Sequence, residues 1–418
     1  MEEEKIGHID LAELIRLERI NTIESLRASI ESIQERLVAK FERLGWRRSR
    51  TTYEKRVVTM LGEVRFTVIK VRRLEDDGRS RFASPILNVL SIRRRKYSRE
   101  VKMTCVDMAA SMSYGETSRR VRHVLNLEIP KRTIHSFVQE IGTRMAKAHK
   151  GKERKKQVNG PSAVTNNLPT VVMGDGTKTH SIYQTNNDVR VAISYSNDGQ
   201  TKLLGLAVND GWESIPKPSG PHVLVSDGER SIVDNLASDP DHTQLDLVHA
   251  ERDAMFKLWG EGMSKEQRDI VSRDMNRILF TLVNSVNKHG QQNGDGDVRA
   301  IEARVESTLT ELKGLAENLS RRGYAKGAEF ISRNARLMVT FAKLAVQGID
   351  IPYTSNVIER LMGTIAARCK HHWMHWSTRG LENMLWILLV RYTDEQEYES
   401  FRQAYIHPFR REQRSWHH

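Results

Sequence analysis

Cysteine is nearly absent: Cys105 and Cys369 are the only two in 418 residues. They are too few and too far apart in sequence for a disulfide framework or a zinc ribbon, so a reducing cytoplasm is the natural setting. Long apolar runs are missing too. Nothing approaches the roughly 18 uninterrupted apolar residues of a membrane span, so membrane insertion is not expected. The opening MEEEKIGHIDLAELIRLE carries acid where a secretory signal needs a positive region and a continuous apolar core, and export is not expected either. Internal repeats and long low-complexity tracts are also lacking. What remains is an ordinary globular composition, 39% apolar, in a chain long enough for two or three domains at about 100 to 200 residues each.

Acidic and basic residues are out of balance in only one part of the chain. Residues 1–160 hold 36 Lys and Arg against 21 Asp and Glu, whereas the rest hold 30 against 32. A positive excess confined to one portion favours a polyanion partner, because each phosphate neutralised by Lys or Arg releases condensed counterions. The competing explanation is a merely solvated surface.

Apolar periodicity divides this basic portion. Residues 10–44 repeat apolar positions at three- and four-residue spacing, as an amphipathic helix or helix pair does, for dimerisation or for packing on a core. Residues 51–73 alternate instead: Val57, Thr59, Val64, Phe66, Val68 and Val71 around Leu61-Gly62 predict a β-hairpin with basic residues on its other face. A helix-turn-helix pattern follows. Val121, Val124 and Leu125 mark the buried side of its first helix, and Pro130 opens a second with Ile134, Phe137, Val138 and Ile141 inward. Lys131, Arg132, Thr133 and His135 then stand where such a module contacts DNA, although any two short helices share the pattern. Basic, aperiodic KGKERKKQVNGPSAVTNN reads as a linker.

Beyond it come short apolar runs, LPTVVMGDG, NDVRVAISYS, TKLLGLAVN, HVLVSD and QLDLVHA, with a hairpin turn at Ser196-Asn197-Asp198-Gly199. They predict a mixed sheet in an α/β layer. Residues 262–348 show three helical patterns without strands, an insertion into that sheet domain.

Three acids carry the chemistry. Asp175 follows TVVM and Asp227 follows HVLV, so each emerges at a strand end, where ligands of open α/β sheets gather. Glu359 lies on a helix whose buried side is Val357, Ile358, Leu361, Met362 and Ile365. Each has an ordinary explanation: Asp-Gly is a turn dipeptide, and Glu359 stands three residues after Asn356, as in a capping motif. Together they suit magnesium, which takes oxygen ligands and needs one or two carboxylates per ion. The tail ARCKHHWMHWSTRG offers Arg368 and Lys370 for phosphates and Trp373 for stacking on an unpaired base, with packing as the alternative for the tryptophans. Its histidines lack a suitably spaced carboxylate or cysteine, which argues against zinc.

On GDGTKTH, SDGERS, DLVHAERD and SNVIERLMGTIAARCKHHWMHW, the chain resembles the DDE transposases of bacterial and archaeal insertion sequences, in the Mutator-like group. The resemblance spans most of residues 169–395. It implies a ribonuclease-H-like catalytic domain over 169–261 and 349–400, with a helical insertion at 262–348. It also implies a catalytic, metal-binding triad of Asp175, Asp227 and Glu359 holding two Mg²⁺, with Mn²⁺ as a substitute. His249 matches the histidine of a Cys-x-x-His pair whose cysteine is Asp246 here, and Trp259 resembles an aromatic that supports a flipped base. Asn356 belongs to the Asn-x-x-Glu-Arg opening.

The expectation is therefore an α/β protein in which a helical region (1–50) and a basic hairpin plus helix-turn-helix region (51–150) lead through a linker (151–168) to the catalytic domain, with a basic tail at 401–418. Its function would be binding of terminal inverted repeats, phosphodiester hydrolysis and strand transfer on double-stranded DNA. It would work as a homodimer or larger assembly in a prokaryotic cytoplasm. The alternatives are a ribonuclease-H-like nuclease without strand transfer and a non-catalytic DNA-binding regulator.

Overall fold

The three-and-four-spaced N-terminal segment forms one helix, α1 (Leu11–Arg43). In this computed structural model the described residues are 11–75, 79–158, 170–196, 199–218, 220–239, 242–290, 295–371 and 374–408. Two units divide the chain, Met1–Ile141 with Phe401–His418, and Gly142–Ser400.

In the first unit α1 packs on an antiparallel sheet of β1 (Arg47–Thr59), β2 (Gly62–Leu74) and β3 (Ser80–Ala83), in the order β1-β2-β3. The expected hairpin is present, turning at Met60-Leu61 into Gly62, whose φ of 139° suits glycine. Ile23, Leu26, Ile30 and Ile33 of α1 meet Val64, Phe66 and Val68 of β2. Further along, Val38 and Phe41 meet Ile69 and Val71, which point to the opposite side of the strand. The crossing occurs at Gln34. Its buried amide donates to the Thr67 carbonyl (2.8 Å) and accepts from the Ile69 N–H (2.9 Å), satisfying the strand edge as a neighbouring strand would. Gln34→Ala strands both groups, and a loss of about 2 kcal/mol is expected in urea unfolding.

Helices α2 (Pro85–Val89), α3 (Arg99–Ser111), α4 (Tyr114–Leu125) and α5 (Lys131–Val158) follow. Ser113 caps α4 by accepting from the Glu116 N–H. It ends at Asn126, in the left-handed region at φ 52°. Val121 is buried as expected, but Val124 is 69% exposed. Ile134, Phe137, Val138 and Ile141 form the buried stripe of α5. That helix runs on to Val158, so residues 151–158 are helical and not linker. A stretch of Lys, Arg and Gln lacks the apolar stripe by which helices are read from sequence. Residues 159–169 lie outside the described set.

The second unit is α/β. Its mixed sheet has the order β6-β5-β4-β7-β8, from β4 (Thr170–His180), β5 (Asn186–Tyr195), β6 (Thr201–Val208), β7 (His222–Ser226) and β8 (Thr243–Leu245). β5 runs antiparallel to both of its neighbours, β4 and β6, whereas β7 and β8 run parallel to β4. The β5–β6 hairpin closes at the expected place, with the Gly199 N–H on the Ser196 carbonyl and Gly199 at φ 80°; Asn197 and Asp198 lie outside the described residues.

One face of the sheet (Val172, Ala192, Ala207, Leu224) is covered by Trp212, Ile215 and α6 (Arg230–Leu236). Gly174 lies under this layer, where a Cβ would fall 2.8 Å from Leu236. Against β4 and β6 pack α12 (Asn356–Cys369) and α13 (Thr378–Thr393). The intervening block comprises α7 (Leu247–Gly260), α8 (Lys265–His289), α9 (Asp295–Arg321), α10 (Ala325–Met338) and α11 (Thr340–Val346). Thr340 ties this block to the edge strand β8 by donating to the Thr243 carbonyl, and Gln244 returns the tie by accepting from the Phe341 N–H.

The last helix, α14 (Glu395–Ile406), extends six residues into the expected tail. Its Glu397 accepts from Lys152 (3.0 Å) and lies 3.4 Å from the buried His149, which together hold its carboxyl down at about 2. A carboxyl depressed below its ordinary 4.5 stabilises the fold above that pH and loses the contribution as pH falls from about 4.5 towards 2. Glu397→Gln is expected to cost about 2 kcal/mol at pH 7 and much less near pH 2.5, by denaturant titration at both.

Candidate metal centre

β4 and β7 run side by side only as far as the Met173–Val225 pair. Asp175 and Asp227 each follow that last rung by two residues, so both project where the two parallel strands part. Asp175 is not at the end of its strand, as the sequence suggested. β4 continues to His180, paired with β5 alone, and Asp175 sits opposite Val191. The Asp175-Gly176 turn reading fails for the same reason. Asp227 does enter a turn: its Oδ1 accepts the Glu229 N–H at 2.9 Å, and Gly228 takes φ 83°. Glu229 of this loop accepts from the Ser231 hydroxyl, and Asp234, on the helix that follows, pairs with Arg230.

Burial pushes the Asp175 carboxyl up to about 6, partly offset by the Gly176 N–H on Oδ1 at 2.6 Å. The charges of Asp227 and Glu359 raise it further, and His249 lowers it. Asp227, His249 and Glu359, from the β7 loop, α7 and α12, are thus near enough for their charges to act on Asp175, but neither Asp175 nor Asp227 belongs to a group of three described residues with ligand atoms within 4.8 Å of one another.

Asp246 organises that neighbourhood, a role not read from the sequence. It is fully buried at the end of β8 and caps α7, with Oδ1 accepting the Val248 and His249 N–H groups at 2.7 and 2.9 Å. Oδ2 accepts the N–H and the hydroxyl of Ser355, at 2.5 and 2.7 Å, immediately before α12. The Ser355 hydroxyl also lies 3.2 Å from Glu359 Oε1. One carboxylate thereby fixes the starts of two helices, one carrying His249 and the other Glu359. Burial alone would raise its pKa, but the donors of His249 and Ser355 outweigh it and hold Asp246 at about 2. The only signal available was its place as an acid directly ahead of a helical pattern, in DLVH.

His249 Nδ1 lies 3.3 Å from Asp246 and 3.5 Å from Glu359. The Asp246 carboxylate holds its imidazole above the ordinary pKa. Asp246, His249 and Glu359 offer ligand atoms within 4.8 Å of one another and could hold a metal ion. Asp246 already accepts four hydrogen bonds, so of the three it has the least lone-pair capacity left for an ion.

The other sequence-selected residues fall in different places. Asn356 is exposed at the first position of α12, and Glu359 meets Ser355 in place of forming a cap with Asn356. Trp259, near the end of α7, is 63% exposed. Arg368 is not on the surface: it is 5% exposed, with its guanidinium 5.3 Å from the Trp376 ring and Nη1 3.4 Å from Met374 sulfur. Trp376 is buried and donates to the Cys369 carbonyl. The basic run thus partly closes the end of α12 from within. Lys370 is exposed, and Trp373 lies outside the described residues. In the first unit Lys131 and Arg132 are exposed, Thr133 is half-buried, and exposed His135 stacks edge-on against Tyr114 at 5.5 Å. The chain matches no protein-family model and no curated protein.

Proposed function

We propose that the chain is a DDE-type DNA transposase, a metal-dependent polynucleotidyl transferase that hydrolyses a phosphodiester at an element's end and joins the freed 3′-hydroxyl to target DNA. The observation that supports this reading is a buried Asp175, pushed up to about 6 mainly by burial and further by the charges of Asp227, which leaves the sheet level with it, and of Glu359 on a separate helix. Clustered carboxylates of this kind repel one another unless protons or cations intervene. The all-oxygen donor set suits Mg²⁺ or Mn²⁺, and the sheet order with its antiparallel first three strands is compatible with a ribonuclease-H-like domain.

Divalent ions bound there would activate the attacking oxygen and stabilise the leaving one. The chain's own part is placement. Asp175 and Asp227 are fixed by the rung at which β4 and β7 part, and Glu359 by the Asp246–Ser355 tie. The excess of Lys and Arg in residues 1–160 supplies attraction for DNA. Assembly into a dimer or larger homo-oligomer is supported by Leu11, Leu14, Ile15, Leu17 and Ile20 of α1, each at least 41% exposed. No helix among the described residues is long and apolar enough to cross a membrane.

The test is incubation with duplex DNA carrying the ends that flank the protein's own gene, with and without Mg²⁺. Cuts leaving a 3′-hydroxyl at the element boundary, followed by joining to a second duplex, are expected. Cleavage without joining would favour a ribonuclease-H-like nuclease, and no Mg²⁺-dependent cut would favour a DNA-binding regulator.

A further inference from the structure

Where α1 crosses the edge of β2 at Gln34, it stops covering one side of the sheet. Beyond Val68, that side carries Lys70, Arg72 and Leu74. Residues directly opposite in an antiparallel sheet point the same way. Arg72 is opposite Arg47 on β1 and Phe82 on β3, so the three make one row across the sheet. Lys70 Nζ lies 5.0 Å from the centre of the Tyr53 ring, which adds a second aromatic to the patch. Tyr53 is 38% exposed and Phe82 55%, while Arg47 and Arg72 are open to solvent.

The charges along the hairpin are segregated. Towards the turn, Arg56 and Arg65 are matched by Glu54 and Glu63, at 2.6 to 3.9 Å. At the far end, no carboxylate among the described residues pairs with Arg47, Lys70 or Arg72, and Arg47 and Arg72 face each other as like charges. Such a pair is unfavourable by itself. It becomes favourable when a chain of anions lies across the row. Two exposed aromatic rings among those cations add what a duplex backbone does not use: flat surfaces for unpaired bases.

We infer that this face binds single-stranded DNA, with Arg47, Lys70 and Arg72 on successive phosphates and Tyr53 and Phe82 against bases. The choice of DNA as the strand rests on the proposed function; the binding face itself does not depend on the metal centre. For a transposase, unpaired strand at a cut end would be the natural occupant.

Fluorescence anisotropy of the full chain tests it, using labelled oligo-dT and a labelled duplex of equal length, in EDTA and over a range of KCl concentrations. Tyr53→Ala/Phe82→Ala is expected to weaken oligo-dT binding about tenfold or more and to leave duplex binding within about twofold. Arg47→Ala/Lys70→Ala/Arg72→Ala should flatten the log–log salt dependence for oligo-dT by about 2. All five side chains are at least partly exposed, and unchanged melting curves will show that the variants fold. An unchanged salt slope in the triple variant, or equal losses on oligo-dT and duplex in the aromatic variant, overturns the inference. Binding is read without Mg²⁺, so either result leaves the cleavage test standing, and failure of cleavage leaves this one standing.

Discussion

Asp175→Asn is expected to abolish Mg²⁺-dependent cleavage, by about 10³-fold or more, while making the metal-free protein more stable. The loss follows if Asp175 holds the ion, since metal stabilisation of a phosphoryl-transfer transition state is worth several kcal/mol. The gain follows from the carboxyl's environment. Its pKa is pushed from an ordinary 3.8 up to about 6, mainly by burial, so the folded state resists its ionisation. A raised carboxyl pKa costs stability above about pH 6, and the cost disappears as pH falls below about 4. In EDTA at pH 8 the Asn variant should therefore exceed wild type by about 1–2 kcal/mol, and the difference should vanish near pH 4. Denaturant titration at the two pH values measures it. Equal stability at pH 8 would mean that burial does not raise this carboxyl. DNA binding should persist in this variant, because the basic excess lies in residues 1–160.

The second large effect is of opposite sign. Asp246→Asn is expected to destabilise the second unit by about 3 kcal/mol, roughly 6–12 °C in melting temperature. Asparagine has one acceptor oxygen where Asp246 uses two. Its amide must face either the N–H groups of Val248 and His249 or the N–H of Ser355, and one set of buried donors is left unmatched. If the start of α12 is released, Glu359 loses its anchor, so cleavage should fall even under conditions where the variant remains folded. Ser355→Ala removes only the hydroxyl contacts with Asp246 and Glu359. It should be milder, about 1–2 kcal/mol. A fully stable Asp246→Asn protein would show that the capping carboxylate is dispensable.

Local periodicity made much of this legible. α1, the β1–β2 hairpin, the apolar cores of β4 and β7 and the buried stripes of α5 and α12 all follow from spacing within one element. Most of the misses depend on partners outside the element itself. β4 runs past Asp175 because β5 pairs with Gly176 to His180, a stretch with no apolar alternation of its own. Asp246 matters through Ser355, 109 residues away. Arg368 looked like a phosphate contact within a basic run, but Met374 and Trp376 fold back over it. Val339 divides what read as one helix into α10 and α11. The crossing at Gln34 was unreadable because a glutamine on an amphipathic helix is ordinarily a solvated one. Asp175, Asp227 and Glu359 could be singled out by residue type and by their strand and helix contexts, and the structure places Glu359, but neither aspartate, in the group with ligand atoms within 4.8 Å of one another. The histidine and aspartate of that group acquired geometry only in three dimensions.

The central claim is that divalent ions are held by Asp175 and Asp227 together with Glu359. Mn²⁺ binding followed by electron paramagnetic resonance tests it most directly, on wild type, Asp175→Asn and His249→Ala. The account predicts a spin-coupled Mn²⁺ pair in wild type that is lost in Asp175→Asn and kept in His249→Ala. A single uncoupled Mn²⁺ that survives Asp175→Asn and disappears in His249→Ala would place the ion at Asp246, His249 and Glu359 and contradict it.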